Sequence, residues 1–235
     1  MTIKKIIGNG FIGKNVNKLR KHIIKSGYTI YTAGISNSNT NSKKELRKEI
    51  RLFKEFSKEN NSKKLIFIST ADVSNNLKRN NPYIINKVKI ENIIKKEFKD
   101  YIILRLPQII GNSKNKNTLI NYFYRNIKKD KIIDVLNGVK RNILDIDDVI
   151  KVLKIIIFEK KLINKTITLS NKYYVQPIDI VKIFEKKLNK VAKIRFKRIL
   201  KENWNLENNM SKKLFKKAKV NIDKNYLIKK INKYF

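Results

Sequence analysis

The first half of the chain predicts an α/β fold built on a doubly wound parallel sheet, and three observations carry that prediction. Strand-like and helix-like stretches alternate as β-α-β-α-β-α-β from residue 2 to residue 106, the order that lays helices on both faces of one sheet. Leu65–Ile68 (LIFI) and Tyr101–Leu106 (YIILRL) are near-continuous apolar runs, as strands covered on both faces require. The first strand runs into Gly8-Asn9-Gly10-Phe11-Ile12-Gly13 and then a helix, the strand–turn–helix context of a dinucleotide-binding turn in a Rossmann-like fold.

In order, Thr2–Ile7 (TIKKII) reads as a short buried strand. Gly8 permits the tight turn, Gly10 lets a pyrophosphate approach the backbone, and Gly13 lets the helix pack on the strand. Free N–H groups at the helix start favour the anion. An amphipathic helix continues to about Ser26, and Tyr28–Ala33 is the second strand. It ends in the polar loop Gly34–Ser38, at the strand end where ligands bind in open α/β sheets. Ser42–Glu59 is a helix with an apolar stripe of Leu46, Ile50, Phe53 and Phe56. The Leu65–Ile68 strand ends in Ser69-Thr70, and a helix runs from about Tyr83 to Phe98 with Pro82 at its start. After the Tyr101–Leu106 strand the pattern loosens into a loop, Gly111–Asn117, and a helix, Thr118–Lys128. Ile132–Val135 and Asn142–Leu144 read as short strands around a turn at Asn137-Gly138. Asp145 or Asp147 caps a helix to about Glu159. A strand (Thr166–Leu169), a helix (Pro177–Leu188), a strand (Ala192–Phe196) and two basic helices close the chain. Residues 1–110 are expected to form the core, completed by segments within 141–170, and residues 111–235 a small mixed α/β substrate lobe.

Composition narrows the chemistry. The absence of cysteine excludes disulfides and thiolate metal sites, and one histidine, His22, read as surface, excludes a histidine cluster, so no metal is expected. The N-terminal apolar run is too short for a signal peptide and no window approaches a membrane span, so a cytoplasmic protein without membrane insertion is expected. A net charge of +37 points at first to nucleic acid. Yet 47 of the 56 basic residues are lysines, spread evenly among isoleucines and asparagines that share A/T-rich codons. Arginine is the residue that reads bases and grips phosphates. The charge is therefore read as genome composition, with no specific nucleic-acid partner.

The chemistry centres on Lys64–Lys87. Tyr83 and Lys87 are four apart, so on a helix they share one face. Thr70 ends the preceding strand. A hydroxyl, a phenol and an ammonium meeting at one point could move a proton to or from a sugar or alcohol oxygen, with the lysine charge lowering the tyrosine pKa.

The segments IIGNGFIG, TAGISNS, FISTADV, YIINK, LRLPQIIG, RNILDIDDV and TLSNKYYVQPIDIVKIFEKKL occur in that order. Together, from Ile3 to about Leu188, they resemble the extended branch of the short-chain dehydrogenase/reductase superfamily, the NAD(P)-dependent nucleotide-sugar epimerases, dehydratases and reductases. The resemblance implies cofactor contacts at Gly8, Gly10, Phe11, Ile12, Gly13, Ala33 and Gly34. It implies Tyr83 as acid/base on the sugar hydroxyl or carbonyl, Lys87 holding the nicotinamide ribose, and Thr70 on the same substrate oxygen. Arg141 matches an arginine on the substrate diphosphate, with an ion pair to Asp145 or Asp147 as the equal alternative, and Asn117 is a further substrate candidate.

Departures from the family carry expectations of their own. Gly27 alone separates the first helix from YTIYTAGISNS, which resembles the family's fourth strand. The second and third strands, which form the adenosine pocket and carry the acid that selects NAD, have no residues left to build them. The expected sheet is therefore short, with Ile3–Ile7 beside Thr29–Ala33 and an edge left exposed or covered by a second subunit in a homodimer. No Asp or Glu lies between Gly27 and Lys43, so the expected cofactor is NADP or NAD, tilted towards NADP. The family's asparagine on the following helix falls at Glu49 or a neighbour. The expected activity is that of a nucleotide-sugar oxidoreductase, a keto-sugar reductase or epimerase serving surface-polysaccharide synthesis. The alternatives are a non-catalytic dinucleotide-sensing or scaffold protein on the same fold and, below it, a lysine-rich nucleic-acid-binding protein.

Overall fold

The computed structural model of the protein describes residues 5–60, 63–116, 118–198, 206 and 209–235. The chain divides into two compact units. The first holds Met1–Pro107, Ile146–Leu169 and Leu206–Val220; the second holds Gln108–Asp145, Ser170–Asn205 and Asn221–Phe235.

The first unit carries a five-stranded sheet. Its strands are β1 (Ile6–Ile7), β2 (Thr29–Tyr31), β3 (Leu65–Thr70), β4 (Tyr101–Leu106) and, later in the chain, Lys165–Thr168. They lie in that order and every pairing is parallel, with Ile6 opposite Ile30, Leu65 opposite Tyr101 and Leu104 opposite Ile167. The turn glycines lead into α1 (Phe11–Val16) and, through a 3₁₀ turn at Asn17–Leu19, into α2 (Arg20–Ser26). Gly27, at φ +79, ends α2 in the left-handed conformation that glycine adopts at helix ends. Helices α3 (Lys43–Asn60) and α4 (Pro82–Glu97) follow β2 and β3. Asn81 caps α4 through its side-chain oxygen, with Pro82 at the first helical position. Leu65, Phe67, Phe53, Ile90 and Ile94 form one buried cluster with Tyr31 and Ile103.

β1 is an edge of this sheet among the described residues. A six-stranded dinucleotide fold runs 3-2-1-4-5-6. Here the first strand pairs directly with what would be the fourth, so the expected shortening is observed, although residues 2–4 of the first strand lie outside the described residues.

The second unit contains β5 (Gln108–Ile110), α5 (Leu119–Lys128), β6 (Ile133–Asn137) and β7 (Ile143–Asp145). The first unit's α6 (Ile146–Ile156) and the sheet's last strand, β8 (Lys165–Thr168), precede α7 (Pro177–Leu188) and β9 (Ile194–Arg198). Helices α8 (Asn209–Lys217), in the first unit, and α9 (Tyr226–Tyr234), in the second, close the chain. The two strands flanking Asn137-Gly138 do not pair with each other. β6 pairs in parallel with β9 and β7 in parallel with β5. Burial of Ile133 and Val135 against α5 and α7 draws β6 to a partner 61 residues on, a tertiary choice that a local turn signal does not contain. Asp145, fully buried, receives Lys230 at 2.7 Å and the Tyr234 hydroxyl at 2.6 Å, tying β7 to α9.

Candidate functional site

The glycine-rich turn is shaped by close backbone approach. Gly8 stands at φ +112, and a Cβ there would lie 2.5 Å from the Ala33 nitrogen. A Cβ on Gly13 would lie 2.1 Å from the Gly8 oxygen. Around Gly10 nothing stands within 4 Å of such a carbon, so its surroundings are open. Phe11 and Ile12 form the half-buried first turn of α1. Thr32, which the sequence did not single out, closes the turn from β2: its N–H and its hydroxyl both donate to the Ile7 oxygen, at 2.7 and 2.9 Å. Gly13→Ala is expected to displace α1 from the turn and lower the melting temperature by several degrees. Gly10→Ala, which meets nothing, is expected to leave it unchanged; equal melting temperatures for both variants would contradict this geometry.

At the C-terminal ends of β2 and β3 three elements converge. Tyr83 and Lys87, on the buried face of α4, are 8% and 4% exposed. The Lys87 Nζ lies 5.3 Å from the Tyr83 ring centroid and 5.8 Å from that of Phe67. A Cβ on Gly34 would fall 2.8 Å from the same Nζ, so the absent side chain is what lets Lys87 lie against the loop after β2. Lys87 donates to Glu49 Oε1 at 2.6 Å, where the Ile35 N–H also donates at 3.1 Å, and Asn86 donates to Glu49 Oε2 at 2.5 Å.

Glu49 changes the electrostatics expected from the sequence. The Tyr83 hydroxyl is pushed above the ordinary tyrosine range, first by burial and then by the charges of Glu49 and Asp72. The expectation of a lowered tyrosine pKa is therefore corrected: burial is the larger cause, and the Lys87 ammonium is paired with the Glu49 carboxylate at contact distance. The α3 stripe packs inward as expected, with Ile50 and Phe56 half-buried against the cluster that holds Phe53, and Glu49 and Ser57 are buried beside it. The available signal was a glutamate three residues after Leu46 and four before Phe53, on the face that packs inward.

Thr70 ends β3 and caps the 3₁₀ turn Ala71–Ser74 by accepting from the Asp72 N–H at 3.3 Å. Asp72 pairs with Lys78 at 2.9 Å. Behind Thr70, buried Glu91 accepts from Ser69 at 2.7 Å and, bidentately, from Nε and Nη2 of Arg105, at 3.0 and 2.5 Å. Arg105 also donates to Ser74 at 3.1 Å, so one arginine links β4, α4 and the turn that Thr70 caps. A cavity of about 440 Å³ opens beside Gly34 and Glu49, walled by Tyr31, Ala33, Lys48 and Leu52. Arg141 belongs to the second unit, where its backbone bridges Val175. Asp145 pairs with Lys230 and Asp147 with Lys18. Asn117 lies outside the described residues. Among the described residues no group of three or more His, Cys, Asp or Glu could hold a metal ion. Among them, too, no helix is long and apolar enough to cross a membrane.

The sequence model described as the NAD dependent epimerase/dehydratase family matches residues 31–168, which include Thr70, Tyr83 and Lys87 and begin after the glycine turn. No curated protein matches the chain. Among solved structures, UDP-glucuronic acid 4-epimerase from Bacillus cereus, in complex with UDP-glucuronic acid and NAD, superposes with a TM-score of 0.72 at 17% identity, over 94% of this chain and 76% of that one. RMD from Pseudomonas aeruginosa, complexed with NADPH, gives 0.71 at 14% identity over 96% of both chains. The Bordetella bronchiseptica enzyme WbmG, in complex with NAD and UDP, gives 0.70 at 14% identity over 97% of this chain and 78% of that one. At these identities the likeness is one of fold.

Proposed function

Since the chain belongs to the NAD dependent epimerase/dehydratase family, we propose that it is an NAD(P)-dependent nucleotide-sugar oxidoreductase, a keto-sugar reductase or an epimerase. The single observation that carries the reading is the buried Tyr83–Lys87 pair set against Gly34 at the C-terminal ends of β2 and β3. Tyr83 would move the proton at the sugar oxygen, and the Thr70 hydroxyl would hold that oxygen. Lys87 would fix a ribose at the same end of the sheet. Arg141 would serve the diphosphate of the sugar nucleotide, and Asn117 is kept as a substrate candidate.

The residues fit a dinucleotide at two of its three parts. The close-packed Gly8 and Gly13 leave Gly10 open, as a pyrophosphate lying on backbone requires. Gly34 and Lys87 suit the nicotinamide ribose. A bound nicotinamide would supply the hydride acceptor or donor. For the adenosine part, no strand of the usual kind lies beside β1 among the described residues. Affinity is therefore expected to rest on phosphate contacts and to weaken as salt screens them.

A melting-temperature panel of NAD, NADP and UDP- and dTDP-sugars tests the reading, because a ligand that binds only the native state raises it by mass action. The expected result is a modest rise with NADP or NAD that shrinks with added salt, a further rise with one sugar nucleotide, and turnover of that sugar. A rise with dinucleotide alone and no turnover would identify a dinucleotide-sensing protein on this fold. No rise with any compound would refute both readings.

A further inference from the structure

Glu49 is 6% exposed, and both its oxygens are engaged from three sides: Lys87 and Asn86 from α4, and the Ile35 N–H from the loop after β2. A lone ammonium beside a phenol stabilises the phenolate, and a nearby carboxylate destabilises it. The charged groups facing Tyr83 are Lys87 on its own helix, Glu49 on α3 and Asp72 on the turn after β3. Asp72 is itself paired with Lys78, 2.9 Å away. Lys87 stands 2.6 Å from Glu49 and 5.3 Å from the Tyr83 ring centroid, so what faces the tyrosine is a closed ion pair and not a free cation.

We propose that Glu49 is a positioning residue: by holding the Lys87 ammonium in a buried ion pair it cancels the charge that would otherwise stabilise a Tyr83 phenolate, and so keeps Tyr83 a neutral proton donor. The inference rests on the reading of Tyr83 as the proton-transfer group and deepens it. At working pH the tyrosine is then present as the phenol, the form that a carbonyl-reducing step consumes, though as a weaker acid than an ordinary tyrosine. Burial acts in the same sense. Glu49 also fixes the backbone at Ile35, so the loop after β2 and the charge on α4 are set by one side chain.

The test reads the phenol directly. Ultraviolet titration of phenolate is compared between each protein and its Tyr83→Phe counterpart, which isolates Tyr83 from the rest of the ten tyrosines. The wild type is expected to show no Tyr83 phenolate at pH 10, the ordinary tyrosine midpoint. Glu49→Gln keeps an oxygen acceptor for Lys87 but removes the negative charge, and is expected to strengthen the Tyr83 acid by about tenfold or more. Glu49→Gln combined with Lys87→Met removes both charges and is expected to return the titration to within about threefold of wild type. An unchanged titration in Glu49→Gln, or a double variant that titrates with the single one, overturns the proposal. If the single variant does not fold, the double variant, which buries no charge here, decides alone: a tenfold departure from wild type in either direction overturns it. Because the readout is the phenol, absence of turnover on every sugar nucleotide leaves this result intact and bears only on the proposed activity.

Discussion

Tyr83→Phe is expected to lower turnover of the sugar nucleotide found in the melting panel by about a hundredfold or more, the size of a lost acid/base contribution. The ring stays in its packing and only the hydroxyl is removed, so melting near neutral pH should change little. Its pH dependence should differ, and the sign follows from the raised pKa of the native phenol. Below pH 10 the hydroxyl is protonated in both states and its native environment contributes fully. Above that value the unfolded state ionises first and gains, so wild-type stability falls as pH rises towards the native pKa. The phenylalanine variant lacks this loss and should hold its stability better in alkali. Turnover close to wild type, measured at saturating substrate, would remove Tyr83 from the chemistry. Parallel alkaline stability curves for the two proteins would remove the buried phenol from the account.

Arg105→Met is expected to produce the largest loss of stability, about 3–5 kcal/mol, the usual cost of leaving one member of a buried ion pair alone. Glu91 is 1% exposed, and Arg105 supplies two of its donors, with Ser69 supplying another. Removing the guanidinium strands the carboxylate between β3 and α4 and frees the turn at Ser74, which Thr70 caps. Urea unfolding should show the midpoint falling. Pairing it with Glu91→Met should recover most of the loss, because a neutral, similarly sized pair carries no desolvation penalty. A double variant as unstable as the single one would mean that Arg105 acts through packing of its stem and not through the pair.

Much of the first unit was legible because its signals are local. LIFI and YIILRL are strands by composition alone, and they pair in register from Leu65 opposite Tyr101 to Thr70 opposite Leu106. Asn81-Pro82 carries both the cap and the first residue of α4, so the helix starts where the sequence says, and the spacing of Tyr83 and Lys87 follows from the helical repeat. The β6 and β7 segments show the limit. Each was recognisable as a strand, but a partner strand is chosen by which apolar faces can be buried together, and the Asn137-Gly138 turn does not encode that.

The sequence by itself determined the order of elements, the glycine turn, the shortened sheet and the placing of Thr70 at a strand end and of Tyr83 and Lys87 on one helix face. Each rests on spacing along the chain: a turn that only glycine permits, a helical interval of four, or too few residues between Gly27 and Leu65 for two more crossovers. Only the tertiary structure decided what Tyr83 and Lys87 feel. Glu49 lies 38 residues before Lys87 and reaches it because α3 and α4 pack side by side, with Gly34 carrying no side chain to keep them apart. Charge effects depend on distance in space and on exclusion of water, so burial first, and then a carboxylate 2.6 Å from the ammonium, move the Tyr83 hydroxyl opposite to the direction that the YxxxK spacing alone suggests.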